Sequence, residues 1–355
     1  MRKHMAITGL VLLLGALAAL MPVVPAQEPK PAAAPAPATG AEPLSEMKIV
    51  ERVNAATDKA LAYLASKQQP DGSWCKDNHA PNALALLAFM GRGHVPGRGP
   101  YRDVLEKGKK FILGTAQPNG VLALSGRPMY EHGLTTLALA ETYGMDPDPA
   151  LEDKLRKAVD LIVKTQSPAG GWRYTPAPVD QDLSVSVMQI VALRAANNAE
   201  VPVPAQTIEK AIAYVRACGA PTGGYGYTGP GAGPQTTAAG VLSLQLLGKH
   251  DDPNIPKSLQ YLAGIPVIWG AGGPQYFYYF HYYAVQAFYQ AGGKEWNEWH
   301  PKIRELLLEK QNADGSFDVP PGTSEAGIEP NKIYSTAMAC LVLDIYQHFL
   351  PAYQR

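Results

Sequence analysis

Gln68-Gln69-Pro70-Asp71-Gly72-Ser73-Trp74 is the stretch from which the fold of this chain can be read. A glutamine is followed six residues later by an aromatic, with glycine between. The pattern returns at Gln166-Ser167-Pro168-Ala169-Gly170-Gly171-Trp172 and at Gln311-Asn312-Ala313-Asp314-Gly315-Ser316-Phe317. A weaker copy begins at Gln117, and another runs from Gly219 to Tyr225 without the glutamine. The starts at 68, 117, 166, 219 and 311 are spaced by 49, 49, 53 and 92, so the last gap holds two periods. The missing copy falls in the Gly/Pro-rich stretch 265–273. A period of this length marks a repeat architecture.

Each copy is flanked in the same way. Before it lies an amphipathic segment, such as DKALAYLASKQ (58–68), LRKAVDLIVKTQ (155–166) or IRELLLEKQ (303–311). Apolar residues there recur at spacings of three and four with charges between, which is a helix with one wet face. After it lies a nearly uncharged segment, such as NALALLAFMG (82–91), LTTLALAETYG (134–144) or TTAAGVLSLQLLG (236–248). A helix apolar all round is buried on every side. Each repeat is therefore a hairpin of one outer and one inner helix. The expected fold is all-α: six hairpins over residues 46–355, closed into an (α/α)6 toroid whose inner helices line a central cavity.

The N-terminus reads as an export signal. Arg2, Lys3 and His4 precede an apolar run from Ile7 to Met21, and Val24-Pro25-Ala26 supplies a cleavage site before Gln27. The run is short for a spanning helix, which needs about twenty apolar residues. Residues 1–26 are thus expected to be a signal peptide directing the chain to the periplasm or outside the cell. Residues 27–45, mostly Pro, Ala and polar, are expected to be a disordered linker.

Composition narrows the partners. Apolar residues make up 46% and charged residues 17%, and 31 basic side chains balance 31 acidic ones. A neutral chain lacks the basic face that displaces counterions from phosphates, so no nucleic-acid partner is expected. Cys75, Cys218 and Cys340 allow at most one disulfide and have no zinc-knuckle spacing.

The Gln-x-x-Asp-Gly-Ser-Trp pattern and the six hairpins resemble the terpenoid cyclase and protein prenyltransferase superfamily. The nearest form is its prenyltransferase/squalene oxidase repeat, squalene cyclase-like and of the exported bacterial type. The resemblance runs from about residue 50 to the C-terminus. It implies that these QW-like motifs hold the fold: Gln68, Gln166 and Gln311 tie helix ends while Trp74, Trp172 and Phe317 stack nearby. It also implies a proton donor. Class II cyclases protonate an alkene from an Asp-x-Asp-Asp motif, and here Asp180-Gln181-Asp182-Leu183-Ser184-Val185 places Asp182 as donor with Asp180 supporting it. Leu183 replaces the motif's last aspartate. The competing reading of Asp182 is a helix N-cap.

Other residues point to the cavity mouth. Aligning the inner helices on their closing glycines pairs His79 with His132 and Asp77 with Asp182, with Ser184 and Thr236 in later repeats. Asp77, His79, His132 and Asp182 have donor chemistry suited to zinc, but the prenyltransferase Asp-x-Cys pair is missing, and neither metal nor cofactor is expected. The run from Tyr276 to Tyr283 is too dense to face one way on a helix, so part of it, with Tyr278, His281 and Tyr282 foremost, is expected to line the cavity. Glu131 with Asp182 would be the carboxylate pair of a glycosidase on this fold, and the thioester stretch of complement-like toroids is missing. Two functions follow. One is a cyclase-like or prenyltransferase-like toroid holding an apolar, isoprenoid-type ligand. The other is a non-catalytic scaffold for a peptide, glycan or envelope component. Peripheral membrane association is compatible with either.

The mature chain should begin at Gln27. Intact mass spectrometry of protein recovered from an exporting host checks this, and a chain starting at Met1 would refute cleavage.

Overall fold

The computed structural model describes residues 43–327, 331–346 and 350–353. The expected signal peptide and most of the expected linker lie outside the described residues. The first helix begins at Pro43, three residues before the expected linker boundary, and proline suits a first helical position because its missing N–H would be unpaired there.

Among the described residues there are twelve α-helices, in six hairpins, and no strand longer than an isolated bridge. The first three hairpins are α1 (Pro43–Lys67) with α2 (His79–Gly91), α3 (Arg102–Thr115) with α4 (Pro128–Met145), and α5 (Pro149–Lys164) with α6 (Leu183–Asn198). The next three are α7 (Ala205–Ala217) with α8 (Pro234–Leu246), α9 (Ile255–Ala263) with α10 (Phe277–Ala291), and α11 (Gly293–Lys310) with α12 (Asn331–Leu343). Each even-numbered helix packs on the even-numbered helices either side, and α12 returns to pack on α2. This closed inner ring is the expected (α/α)6 toroid.

Burial divides the two sets as the hydrophobic periodicity requires. Every residue of α2 except Ala80 is buried. In α5, by contrast, the buried positions are Leu151, Leu155, Ala158, Val159 and Ile162, a single stripe one helix-face wide.

The repeated motif joins the hairpins. Gln68 donates from Nε2 to the carbonyl of Gly72 in its own turn and to Val104 in the first turn of α3. Gln166 donates to Gly170 and to Thr207 of α7 in the same way. Gln311 donates to Gly315 and to Ala56 of α1, which ties the last hairpin to the first. The turns sit so close to the next outer helix that a side chain has no room. A Cβ on Gly170 would lie 2.2 Å from the Lys210 carbonyl oxygen, and φ there is +101°, which only glycine adopts freely.

The motif aromatics anchor both helices of a hairpin. The indole of Trp172 donates to the Ile162 carbonyl of α5, and that of Trp74 to Leu64 of α1. The backbone N–H of Trp172 donates to Ser186 Oγ on α6. The equivalent donors Trp74, Leu122, Tyr225 and Phe317 reach Asn82, His132, Thr237 and Thr336. These five bonds fix the register of the inner helices. The register differs from the one expected from closing glycines: His132 matches Asn82, not His79, and Asp182 matches Asn78, not Asp77. The glycine alignment failed because the inner helices differ in length beyond their shared first turns.

The C-terminal segment lies against the other end of the ring. Leu350, Ala352 and Tyr353 are buried. Ala352 N–H donates to Glu141 Oε1 of α4, Asn198 of α6 donates to the Pro351 carbonyl, and Gln290 of α10 donates to that of Tyr353. A void of only about 30 Å³ remains there, lined in part by Tyr282 and Tyr353. Cys75, Cys218 and Cys340 are all buried and unpaired.

Trp172→Ala removes a fully buried indole and its hydrogen bond. It should lower the unfolding free energy by roughly 3–5 kcal/mol, read from chemical denaturation, and an unchanged midpoint would deny the motif its structural role.

Burial pushes Glu141 from its ordinary 4.5 up to about 8, with the Ala352 N–H pulling the other way. A carboxyl whose folded pKa is raised favours the fold below its unfolded pKa, and that contribution is lost as pH rises through the folded value. Glu141→Gln keeps an acceptor for Ala352 and cannot ionise. Between about pH 4.5 and pH 9 it should lose less stability than the wild type, by on the order of 3–5 kcal/mol. Parallel loss in the two proteins would mean that Glu141 is not buried as described.

Candidate functional site

The inner helices start at one end of the ring, and a cavity of about 770 Å³ opens there. Small-molecule sites commonly measure about 300–1,000 Å³. The shared register shows how the lining is built. Two residues before each ring-locking position stand Ala80, Tyr130, Ser184, Gln235 and Tyr334, and Tyr279 completes the layer from α10; all six line the cavity. One turn deeper, Leu84, Leu134 and Met188 form an apolar floor.

The loops between motif and inner helix build the mouth. Tyr174 and Tyr227 each sit two residues past a motif aromatic, and their hydroxyls meet across the opening. Tyr130 hydrogen-bonds Ser184 Oγ at 2.6 Å, and Tyr279 donates to the Ser184 carbonyl. Arg127 lies over the Tyr174 ring at 5.2 Å, and Arg173 approaches the rings of Tyr174 and Tyr227. Burial raises the phenol pKa of Tyr130 and Tyr227, so both remain neutral hydrogen-bonding groups at ordinary pH.

Asp182 caps α6. Its Oδ1 accepts from Val185 N–H and Ser184 Oγ, while Oδ2 accepts no hydrogen bond and lies 3.8 Å from Arg173 Nε. Burial raises its pKa, opposed by the Ser184 and Val185 hydrogen bonds and by Tyr227 and Arg173. The side chain is fully buried beneath the mouth loops and does not line the cavity. Asp180 is on the surface, paired to Arg173 at 2.5 Å.

The remaining expected residues divide. Glu131 does line the cavity, but Oε2 accepts from the N–H groups of His79 and Leu124 and Oε1 from that of Ser125. It is a helix-end cap for α2, occupied on both oxygens. His79 turns outward to Thr115 of α3, and His132 bridges Leu122 N–H and the Ala158 carbonyl of α5. Burial lowers both imidazoles to about 4, so they are uncharged. On α10 the face differs from the expected one. Tyr278 donates to the Asp318 carbonyl, His281 packs against Phe277 and Trp299, and Tyr282 meets Tyr353 at the closed end. Their neighbours Tyr276 and Tyr279 take the cavity side. Among the described residues no three His, Cys, Asp or Glu side chains are placed to hold a metal ion. Asp77, His79, His132 and Asp182 do not converge.

Sequence reasoning passed over Arg127, Tyr130, Tyr174 and Tyr227. A signal for two of them was present: GGWRY and GGYGY both carry a tyrosine two residues beyond the motif aromatic.

No protein-family profile matches the chain. Lanosterol synthase erg7A of Aspergillus fumigatus is 26% identical over 136 residues, which cover 34% of this chain and only 17% of that synthase. The type II terpene cyclase MstE from Scytonema, solved with geranylgeranyl dihydroxybenzoate, superposes with a TM-score of 0.59 at 14% identity, over 86% of this chain and 99% of that one. An inactive variant of the α-1,6-mannanase GH76A of Salegentibacter sp., solved with α-1,6-mannotriose, superposes at 0.60 with 11% identity, over 82% and 99%. The resemblance to the terpenoid cyclase superfamily therefore holds for the fold, an all-helical α/α toroid like that of type II terpene cyclases and of a GH76 mannanase.

Proposed function

We propose that this chain is an exported ligand-binding toroid that holds an apolar, isoprenoid-type chain in its cavity without turning it over. The observation that carries this reading is the lining itself. The floor is Leu84, Leu134 and Met188, the wall is tyrosine, and the sole carboxylate among the described lining residues is Glu131, already saturated by three backbone N–H groups. A glycosidase needs two carboxylates free to act at a set separation. A protonating cyclase needs an acid in reach of the substrate, and Asp182, whose Oδ1 caps α6, is buried outside the cavity lining. The neighbouring cyclase was solved with a geranylgeranyl compound, which supports a prenyl chain as the apolar ligand.

Titrating the protein with geranylgeraniol, squalene and α-1,6-mannotriose, with binding read by native mass spectrometry and products by chromatography, tests this. Binding of a prenyl chain with no product is expected, and Met188→Gln should weaken it about tenfold by making the floor polar. Cyclised product that disappears in Asp182→Asn would replace this reading with the cyclase. Binding of mannotriose alone would replace it with a glycan scaffold.

A further inference from the structure

Two arginines stand at the cavity mouth in unlike states. Arg173 is neutralised: its Nη1 lies 2.5 Å from Asp180 Oδ2 and its Nε 3.8 Å from Asp182 Oδ2. Arg127 lines the cavity, and among the described residues no carboxylate oxygen lies within 4.0 Å of its guanidinium. Its close charge-related contact is the face of Tyr174, which orients a guanidinium without neutralising it.

The surroundings add positive potential. Helix N-termini carry partial positive charge, and those of α2, α6 and α10 are met by the side chains of Asn78 with Glu131, Asp182 and Glu325. The start of α4, where Arg127 is itself the N-cap residue, and the start of α8 at Gly233 have no side-chain cap, although Met129 N–H of α4 donates to the Tyr174 carbonyl. Glu131, one turn from Arg127, is committed to three backbone donors. Arg127 thus stands without an ion pair at the rim of a pocket whose depth is apolar, with the backbone-bound Glu131 carboxylate on the same wall.

We propose that the ligand is an amphiphile whose oxyanion head group, a carboxylate or a phosphate, is bound by Arg127 at the mouth while its apolar chain lies on the Leu84, Leu134 and Met188 floor. This rests on the ligand-binding reading above. A guanidinium offers paired N–H donors that match two oxygens of either head group, and the neutral hydroxyls of Tyr130, Tyr174 and Tyr227 stand close by to complete the shell.

Three ligands with one C20 chain separate the two ideas: geranylgeraniol, geranylgeranoic acid and geranylgeranyl phosphate. Dissociation constants are measured for wild type, Arg127→Gln and Arg127→Lys, with melting temperature as the check on folding. Wild type should bind the acid and the phosphate about tenfold or more tighter than the alcohol, with the gap narrowing in high salt. Arg127→Gln should bring the anions down to the alcohol, and Arg127→Lys should restore part of the preference. The tighter anion identifies the head group. Equal binding of all three by wild type, or a preference that survives Arg127→Gln, overturns the head-group proposal while leaving the cavity reading intact. Failure of all three ligands to bind overturns both.

Discussion

The paired hydrogen bonds of Gln68, Gln166 and Gln311 set three of the six hairpin junctions on which the toroid depends. One amide nitrogen donates at once to the glycine carbonyl of its own turn and to a carbonyl in the next outer helix. Each bond is worth only about 1 kcal/mol net. Their value is geometric: each fixes where one hairpin ends relative to where the next begins. Gln311 makes the same pair of bonds to Gly315 and Ala56, so the rule that sets neighbouring hairpins also closes the circle across 255 residues of sequence. Glycine is obligatory beside it, because a Cβ at Gly72, Gly170 or Gly315 would collide with the carbonyl of a lysine on the following helix.

From that tie the lining of the cavity is nearly determined. The turn delivers its aromatic backbone N–H to a polar side chain early on the inner helix, and that bond sets the rotation of the helix. Positions two before and two after then face the cavity, while the locking position faces the outer helix. His132 and Ser186 occupy locking positions, so their polarity serves the frame. Tyr130 and Ser184 precede them by two and serve the site. A step of two residues, about 200° on a helix, separates a structural histidine from a ligand-facing tyrosine.

That dependence on helix rotation explains what the sequence could and could not disclose. The hairpins, their number and their inner and outer assignments were legible because hydrophobic periodicity reports burial directly. The role of Gln68, Gln166 and Gln311 was legible through resemblance, and their bonds agree with it. The lining was not legible at residue level. Tyr278, His281 and Tyr282 were singled out by chemical type within an aromatic run, yet Tyr276 and Tyr279 face the cavity, since Glu325 caps α10 at Tyr278 and Tyr279 and fixes its rotation. Nothing local to the run encodes that contact, which comes from 46 residues downstream. Glu131 does line the cavity, but its carboxylate is bound by backbone N–H groups.

Carboxylates decide what chemistry a toroid can perform, and three of those near this mouth hold helix ends. Asp182, Glu131 and Glu325 each direct oxygens at the first N–H groups of an inner helix. Six inner helices beginning at one mouth concentrate partial positive charge, and an acid placed there is drawn first to the unpaired amides. Freeing such an acid for catalysis would leave buried N–H groups without acceptors, at about 1–3 kcal/mol for each. At this mouth Asp182 and Glu131 hold helix ends, with Oδ2 of Asp182 outside any hydrogen bond, while Arg127 lines the cavity without an ion pair among the described residues.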